Sequence, residues 1–504
     1  FGADIVPLQL FVALLGALGL WAAWWTVRHF LSRGLALLAV ATLALGPFWG
    51  ALSVSFMSDV PAFAVQAVGL ALGVRALRGA RLRRGSFLAA VAVSLVGVTI
   101  REYAVAGLVT VLGAALVTAG WGDADTRTAN RRRLLVLLVS VVSLVLGAAL
   151  YRWRGGLVTN SQPRTFSFAP GLTEVQTVSR TLYTLGLLVA PAVFVAAAVG
   201  LVDVVRRHKI VTAVVVVALA AGAVRAEGYV LLGNLLTTQG LYAATLSGDA
   251  PAVVAAPVWT ALTVVAVIGA SALVLAVGLG VHRVWAHRRT DVAALTGCAP
   301  AAVVACAVYV AVSLALVVVA AALFQQHPFD RYLLPVVPYA AALVLAAGVH
   351  ARRSTTGPYE PATVDVGRPH RLATAAVVAP VLAVTMVFTV YVLAADALDG
   401  AKGRAGVQSV AAGLAPETVD AGFEWFGLHQ PGAVVVRQGG APGYAFWVSN
   451  LFGDPRVCAV ASWAPAGSSA QDPAWVVPPI RVEVPLGPSY DVVVRRADLR
   501  CNLS

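Results

Sequence analysis

Residues 299–324 read APAAVVACAVYVAVSLALVVVAAALF, with no charged side chain. A bilayer's hydrocarbon core takes about 20 apolar residues in helical form, so this run is long enough to cross one. Runs of the same texture recur along the chain at 4–26, 34–52, 60–79, 86–101, 103–121, 134–151, 181–203, 210–225, 256–281, 332–349 and 372–395. Together they predict an α-helical polytopic membrane protein with about twelve transmembrane helices.

Composition agrees. The chain has 504 residues, 59% hydrophobic and 12% charged, with mean hydropathy +0.83. Soluble domains carry roughly 25% charged residues, so a water-solvated core is excluded. Ala, Val, Leu and Gly dominate, which suits close helix packing in lipid and a GC-rich bacterial genome. The net charge of +13 would suggest nucleic acid in a soluble protein, but its distribution has another explanation.

Cytoplasmic loops of membrane proteins are enriched in Lys and Arg. Basic clusters follow every second span: Arg28 and Arg33; Arg75 to Arg84; Arg127 to Arg133; Arg206, Arg207 and Lys209; Arg283 to Arg289; Arg352 to Arg371. These loops hold 21 of the 36 basic residues, and the alternate loops hold seven. The alternation orients the chain in a cell inner or plasma membrane. Phe1 is expected outside, as is everything beyond the twelfth span. No signal-peptide pattern precedes the first run. An external start then predicts a further helix upstream and thirteen spans in the parent.

Residues 396–504 differ from 1–395. Short β-type runs such as VCAVAS, RVEVPL and YDVVVRR are broken by Gly and Pro. They predict a small β-rich or α/β domain outside the cytoplasm. Cys458 and Cys501 lie there, either as a disulfide or as two free thiols. Cys298 and Cys306, in or beside the tenth span, read as small packing residues. No CxxC, HExxH, Walker or dinucleotide glycine motif is present, and no cluster of metal ligands is visible. A divalent metal stays open on these grounds.

The external loops hold few acids, so each carries weight. Asp59, in SVSFMSDVPAF, precedes Val60-Pro61 at the membrane boundary. It reads either as a helix-capping residue or as a carboxylate available as a base or to orient a polar substrate. Arg101, Glu102 and Tyr103, in TIREYAVAG, form either a solvated turn or a phosphate-binding group whose guanidinium fork fits phosphate oxygens. Tyr151, Arg152, Trp153 and Arg154 read as an aromatic belt with snorkelling arginines or as a sugar-stacking site. Glu227, with Arg225, borders an apolar segment after the eighth span that can lie at the outer surface. His327, Asp330, Arg331 and Tyr332, in FQQHPFDRYLLPVVPY, either cap the eleventh span or face an anionic headgroup.

Three of these stretches, FMSDVPAF, IREYAV and FDRYLLPVVPY, in this order and on one expected side, resemble bacterial glycosyltransferase family 39. That family has the C-type glycosyltransferase fold and includes protein mannosyltransferases and lipid A aminoarabinose transferases. The resemblance covers residues 1–395 as architecture and only these stretches as motif. It implies an inverting transfer of a sugar from a polyprenyl-phosphate carrier to a lipid, glycan or protein acceptor on the external face of the cell envelope. It implies that Asp59 orients the acceptor or carrier, or shares base work. Arg101 and Arg331 would hold the carrier phosphate. The family's principal acid lies in its first external loop. That loop would lie upstream of Phe1 or at its very start. The nearby carboxylate is Asp4, in FGADIVP, which does not match, so that acid is either absent from this chain or not identifiable in it. Two readings compete: a polytopic transporter or lipid flippase without transferase activity, and a membrane scaffold whose tail is a binding module. Transporters place polar groups near the midplane, whereas the carboxylates here gather at one face.

Overall fold

The computed structural model describes all residues except 1–4, 54–57, 79–81, 119–125, 158–171, 227–229, 234–235, 242–245, 247–249, 288–297, 325–328, 354–370, 430–456, 466–474, 485–488 and 498–504. Each of the twelve apolar runs is helical over most of its length. The helices are α1 Ile5–Val27, α2 Arg33–Ala44, α3 Pro47–Leu52, α4 Asp59–Leu77, α5 Arg84–Ile100, α6 Val105–Thr118 and α7 Thr126–Leu157. They continue as α8 Leu172–Leu188, α9 Ala190–Ala196, α10 Val202–Arg207, α11 Lys209–Arg225, α12 Ala256–His287, α13 Cys298–Phe324, α14 Val337–Arg353 and α15 Arg371–Ala411.

Seven helical segments among the described residues are each long and apolar enough to cross a membrane: Pro7–Val27, Asp59–Leu77, Ala129–Arg154, Ala256–Gly278, Ala301–Ala322, Asp330–Arg352 and Val378–Ala411. A bent pair, Gln176–Leu188 with Ala190–Arg207, passes the same test as one unit despite a 66° bend. The chain is therefore a mostly helical, polytopic membrane protein. Leu10, Leu14 and Trp21 on α1 and Leu134, Leu138 and Val145 on α7 are exposed, as lipid-facing side chains are.

The breaks have local causes. The run at 34–52 forms two helices because Pro47 starts the second, where its missing N–H costs no helix bond. The run at 332–349 starts as a 3₁₀ turn, Asp330–Val336, with Pro335 inside it. The bent unit contains a π-helical turn, Ala197–Leu201, where Gly200 takes φ +151°. A side chain there would be strained and would also meet the Gly348 carbonyl oxygen at 2.6 Å.

The chain forms two compact units. The first comprises Phe1–Gly156, Thr165–Gly233 and Thr260–Met386; the second comprises Leu157–Arg164, Asn234–Trp259 and Val387–Ser504. In the first unit α4 packs against α1, α5 and α6. Gly19 of α1 lies so close to α4 that a Cβ there would stand 2.9 Å from Ala64 Cα. Small residues at such crossings let two backbones approach.

In the second unit, α15 continues past the expected end near 395 to Ala411. After it come β1 Val419–Asp420, the short α16 Phe423–His429, β2 Ala459–Pro465, β3 Trp475–Glu483 and β4 Ser489–Arg496. The strands form one sheet in the order β1-β2-β4-β3, with β1 parallel to β2 and the other pairs antiparallel. Pro478 and Pro479 sit in edge strand β3, where the pairing shifts register between Val477 and Ile480. Proline cannot donate to a ladder and is tolerated at an edge. Tyr490 to Val494 on β4 are buried, and Trp463 meets Tyr490 edge-on at 4.8 Å. Cys458 is disulfide-bonded; Cys501, its expected partner, lies outside the described residues. Cys306 is a buried free thiol in α13.

Candidate functional site

Asp59 is the first residue of α4, and Arg101 follows the last residue of α5. Each charge complements its own helix end, since a carboxylate favours a helix N-terminus and a cation a C-terminus. The two residues, 42 positions apart in sequence, then meet: Arg101 Nη2 donates to Asp59 Oδ2 at 2.9 Å. Arg101 takes an extended conformation (φ −144°, ψ 142°), which separates α5 from the 3₁₀ turn Glu102–Ala104. That turn brings Tyr103 round to donate from Oη to Asp59 Oδ1 at 3.1 Å.

Asp59 is fully buried, and its side chain does not cap its helix; Ser58 holds the N-cap position without a side-chain bond. Both carboxylate oxygens go to Arg101 and Tyr103. In this arrangement Asp59 holds two other groups in place and presents no free lone pair to solvent. Burial, the largest single effect, works against the charge of Arg101, but Asp59, Tyr103, Tyr332 and Glu102 together outweigh it and raise the guanidinium pKa above its ordinary value. Arg101 keeps 20% of its side chain exposed. Its buried Nε–H has no hydrogen-bond partner among the described residues.

An aromatic wall continues the site. The Tyr103 ring lies 5.0 Å from that of Tyr332, which meets Phe329 at 5.3 Å. The Arg331 guanidinium stands 4.8 Å over Phe329, a cation–π geometry. Asp330 is fully buried, and its Oδ1 accepts the backbone N–H of Arg331 at 2.8 Å. At the rim, Arg154 near the end of α7 pairs with Glu102 at 3.6 Å, both side chains about a third exposed.

The structure therefore brings together Asp59, Arg101, Glu102, Tyr103, Arg154, Asp330, Arg331 and Tyr332 at one end of the first unit. Arg152 stays apart, exposed on α7 with no ion pair or hydrogen bond to this group. Glu227 and His327 lie outside the described residues. Sequence reading passed over Phe329, although an aromatic two residues before an arginine was a visible signal. It also passed over Gln66, two turns below Asp59 on α4. Gln66 is buried, accepts from Tyr309 Oη at 2.8 Å, and donates to the Ala62 carbonyl at 3.3 Å. Tyr309 in turn meets Tyr339 edge-on at 5.1 Å. Among the described residues no group of three or more His, Cys, Asp or Glu converges, so no residue set is named for a divalent metal.

The arrangement suits an anion. One guanidinium is held rigidly by a buried carboxylate, a second stands on an aromatic face, and tyrosine rings lie between them. Comparison of the chain with protein-family models, with curated proteins and with solved structures gives no match.

Proposed function

We propose that this protein is a membrane glycosyltransferase. It moves a sugar from a polyprenyl-phosphate carrier to an acceptor on the external face of a cell membrane crossed about twelve times. The observation that carries the reading is the convergence of three stretches far apart in sequence. FMSDVPAF supplies Asp59, IREYAV supplies Arg101 and Tyr103, and FDRYLLPVVPY supplies Tyr332 beside them. These are the stretches on which the resemblance to glycosyltransferase family 39 rests.

In such a transfer an acceptor hydroxyl attacks the anomeric carbon and the bond to the carrier phosphate breaks. Negative charge grows on the departing phosphate. Arg101 and Arg331 are the cations assigned to it, since a preorganised donor aimed at developing charge is the larger part of such catalysis. Asp59 is a positioning residue that fixes Arg101, because both its oxygens are engaged. The base that takes the acceptor proton is then a different group. A disulfide at Cys458 fits a C-terminal domain in an oxidising external compartment.

The competing reading, a transporter or flippase, draws on one observation: the buried Gln66–Tyr309 pair inside the bundle. Those groups are neutral, and the charged residues of the site sit at the helix ends.

The test is transfer of label from polyprenyl-phosphate sugars to membrane acceptors by purified protein. Arg101→Gln is expected to lower kcat/KM by about 10²-fold, the usual loss of one transition-state donor. No transfer from any carrier by a folded preparation refutes the enzyme reading. Unchanged transfer by the variant refutes the role of Arg101 alone.

A further inference from the structure

A second polar cluster lies at the other end of α4. That helix carries Asp59 at its start, and Arg78 follows its last residue, about 28 Å away at 1.5 Å per residue. α1 runs parallel to α4: Gly16 faces Val60, and Gly19 faces Phe63 and Ala64. The end of α1 therefore arrives beside Arg78. Arg78 Nη1 stands 3.3 Å from His29 Nε2. The Arg78 guanidinium lies 5.9 Å from the Trp25 ring, and Arg28 lies 4.8 Å from the Trp24 ring. Trp25 meets His29 edge-on at 4.5 Å.

The charge here is unbalanced. Asp59 is the only acid in the sequence between residues 28 and 84, and it is at the far end of the helix. Neither Arg28 nor Arg78 has a carboxylate partner among the described residues. Burial first, and then the charges of Arg78 and Arg28, lower the pKa of His29 to about 4, so the imidazole is neutral at physiological pH. Two guanidinium groups braced on indole rings, a neutral imidazole and, among the described residues, no counter-charge make a preformed seat for an anion. The indoles identify the kind of anion, because Trp collects at headgroup depth.

We propose that the joined ends of α1 and α4 bind the phosphodiester of an anionic phospholipid. Arg28 and Arg78 hold the phosphate oxygens, and Trp24 and Trp25 lie along the glycerol region. The loop charges assign this end to the cytoplasmic leaflet, where anionic lipids supply the matching surface charge. The site is separate from the Asp59 cluster and does not depend on glycosyl transfer.

Native mass spectrometry of the full chain in detergent tests this. Phosphatidylglycerol, phosphatidylcholine of the same acyl chains, and inorganic phosphate serve as probes. The wild type is expected to retain phosphatidylglycerol in preference to phosphatidylcholine, and inorganic phosphate at the same concentration is expected not to displace it. Each arginine lost is expected to weaken binding about fivefold, so R28Q/R78Q loses about 25-fold. R131Q/R133Q, which removes two exposed arginines of α7, is expected to bind as the wild type does.

Equal retention of the two lipids by the wild type overturns the proposal without recourse to any variant. So does an R28Q/R78Q protein that binds normally, or an R131Q/R133Q protein that loses as much. Displacement by inorganic phosphate would replace the lipid with a soluble anion and overturn it equally.

Discussion

The Asp59–Arg101 pair makes an asymmetric prediction about stability. Removing one partner of a buried ion pair costs roughly 3–5 kcal/mol, because the other charge stays buried. The two partners are buried unequally: Asp59 is 0% exposed and Arg101 is 20% exposed. In D59N the orphaned guanidinium can still reach water, and the new amide can still accept from Tyr103. That variant should lose about 2 kcal/mol. In R101Q the orphaned carboxylate is sealed, with Tyr103 as its remaining charge-assisted donor, and the loss should reach about 3–4 kcal/mol. The double variant removes both charges and should lose well under the sum, leaving a coupling of at least about 1.5 kcal/mol. Denaturant unfolding in detergent micelles, followed by far-UV circular dichroism, measures all four corners of the cycle. Losses that add within about 0.5 kcal/mol would show that the charges do not act as a pair. A D59N loss equal to or above that of R101Q would show that the burial argument is wrong.

Three other expectations are simpler. Gly19→Ala forces a methyl against the Ala64 Cα and should cost about 1–3 kcal/mol by overpacking, whereas the same change at Gly34, which has open space around it, should cost nothing measurable in the same unfolding assay. Arg154→Ala should change stability by less than about 1 kcal/mol, since its ion pair with Glu102 is long and partly solvated. His29 has a native pKa lowered to about 4 from 6.5, so the unfolded chain takes up its proton first. Its contribution to stability is therefore complete above pH 6.5 and is lost as pH falls toward 4. Unfolding at about pH 7.5 and about pH 5, on either side of the unfolded value, should show a larger acid loss for the wild type than for His29→Gln.

Helices were legible because lipid imposes a rule that one residue's neighbours reveal: a backbone in hydrocarbon must bond to itself, and its side chains must be apolar. The shared end for Asp59, Arg101 and Arg331 was legible because loop charges alternate. What Asp59 does there was not. Whether a carboxylate caps its own helix or turns to an arginine 42 residues away depends on the rotation of α4 against α5, which hydropathy does not encode. The same holds for Gln66 and Tyr309, whose pairing across 243 residues leaves each looking like an isolated polar residue in an apolar run. Local breaks fell between these cases. Pro47 announces the split between α2 and α3, and Pro191, in the first turn of α9, marks the 66° bend after Leu188, while the turn at Gly200 depends on the close approach of Gly348.

The Gln66–Tyr309 bond also sets an order of events during synthesis. At about 5–20 residues per second, the ribosome reaches Tyr309 roughly 12–50 s after Gln66 across those 243 residues. For that interval the Gln66 side-chain oxygen on α4 has no tyrosine to accept from. The first helices are thus made early, while one buried acceptor on α4 waits for a donor that only α13 brings.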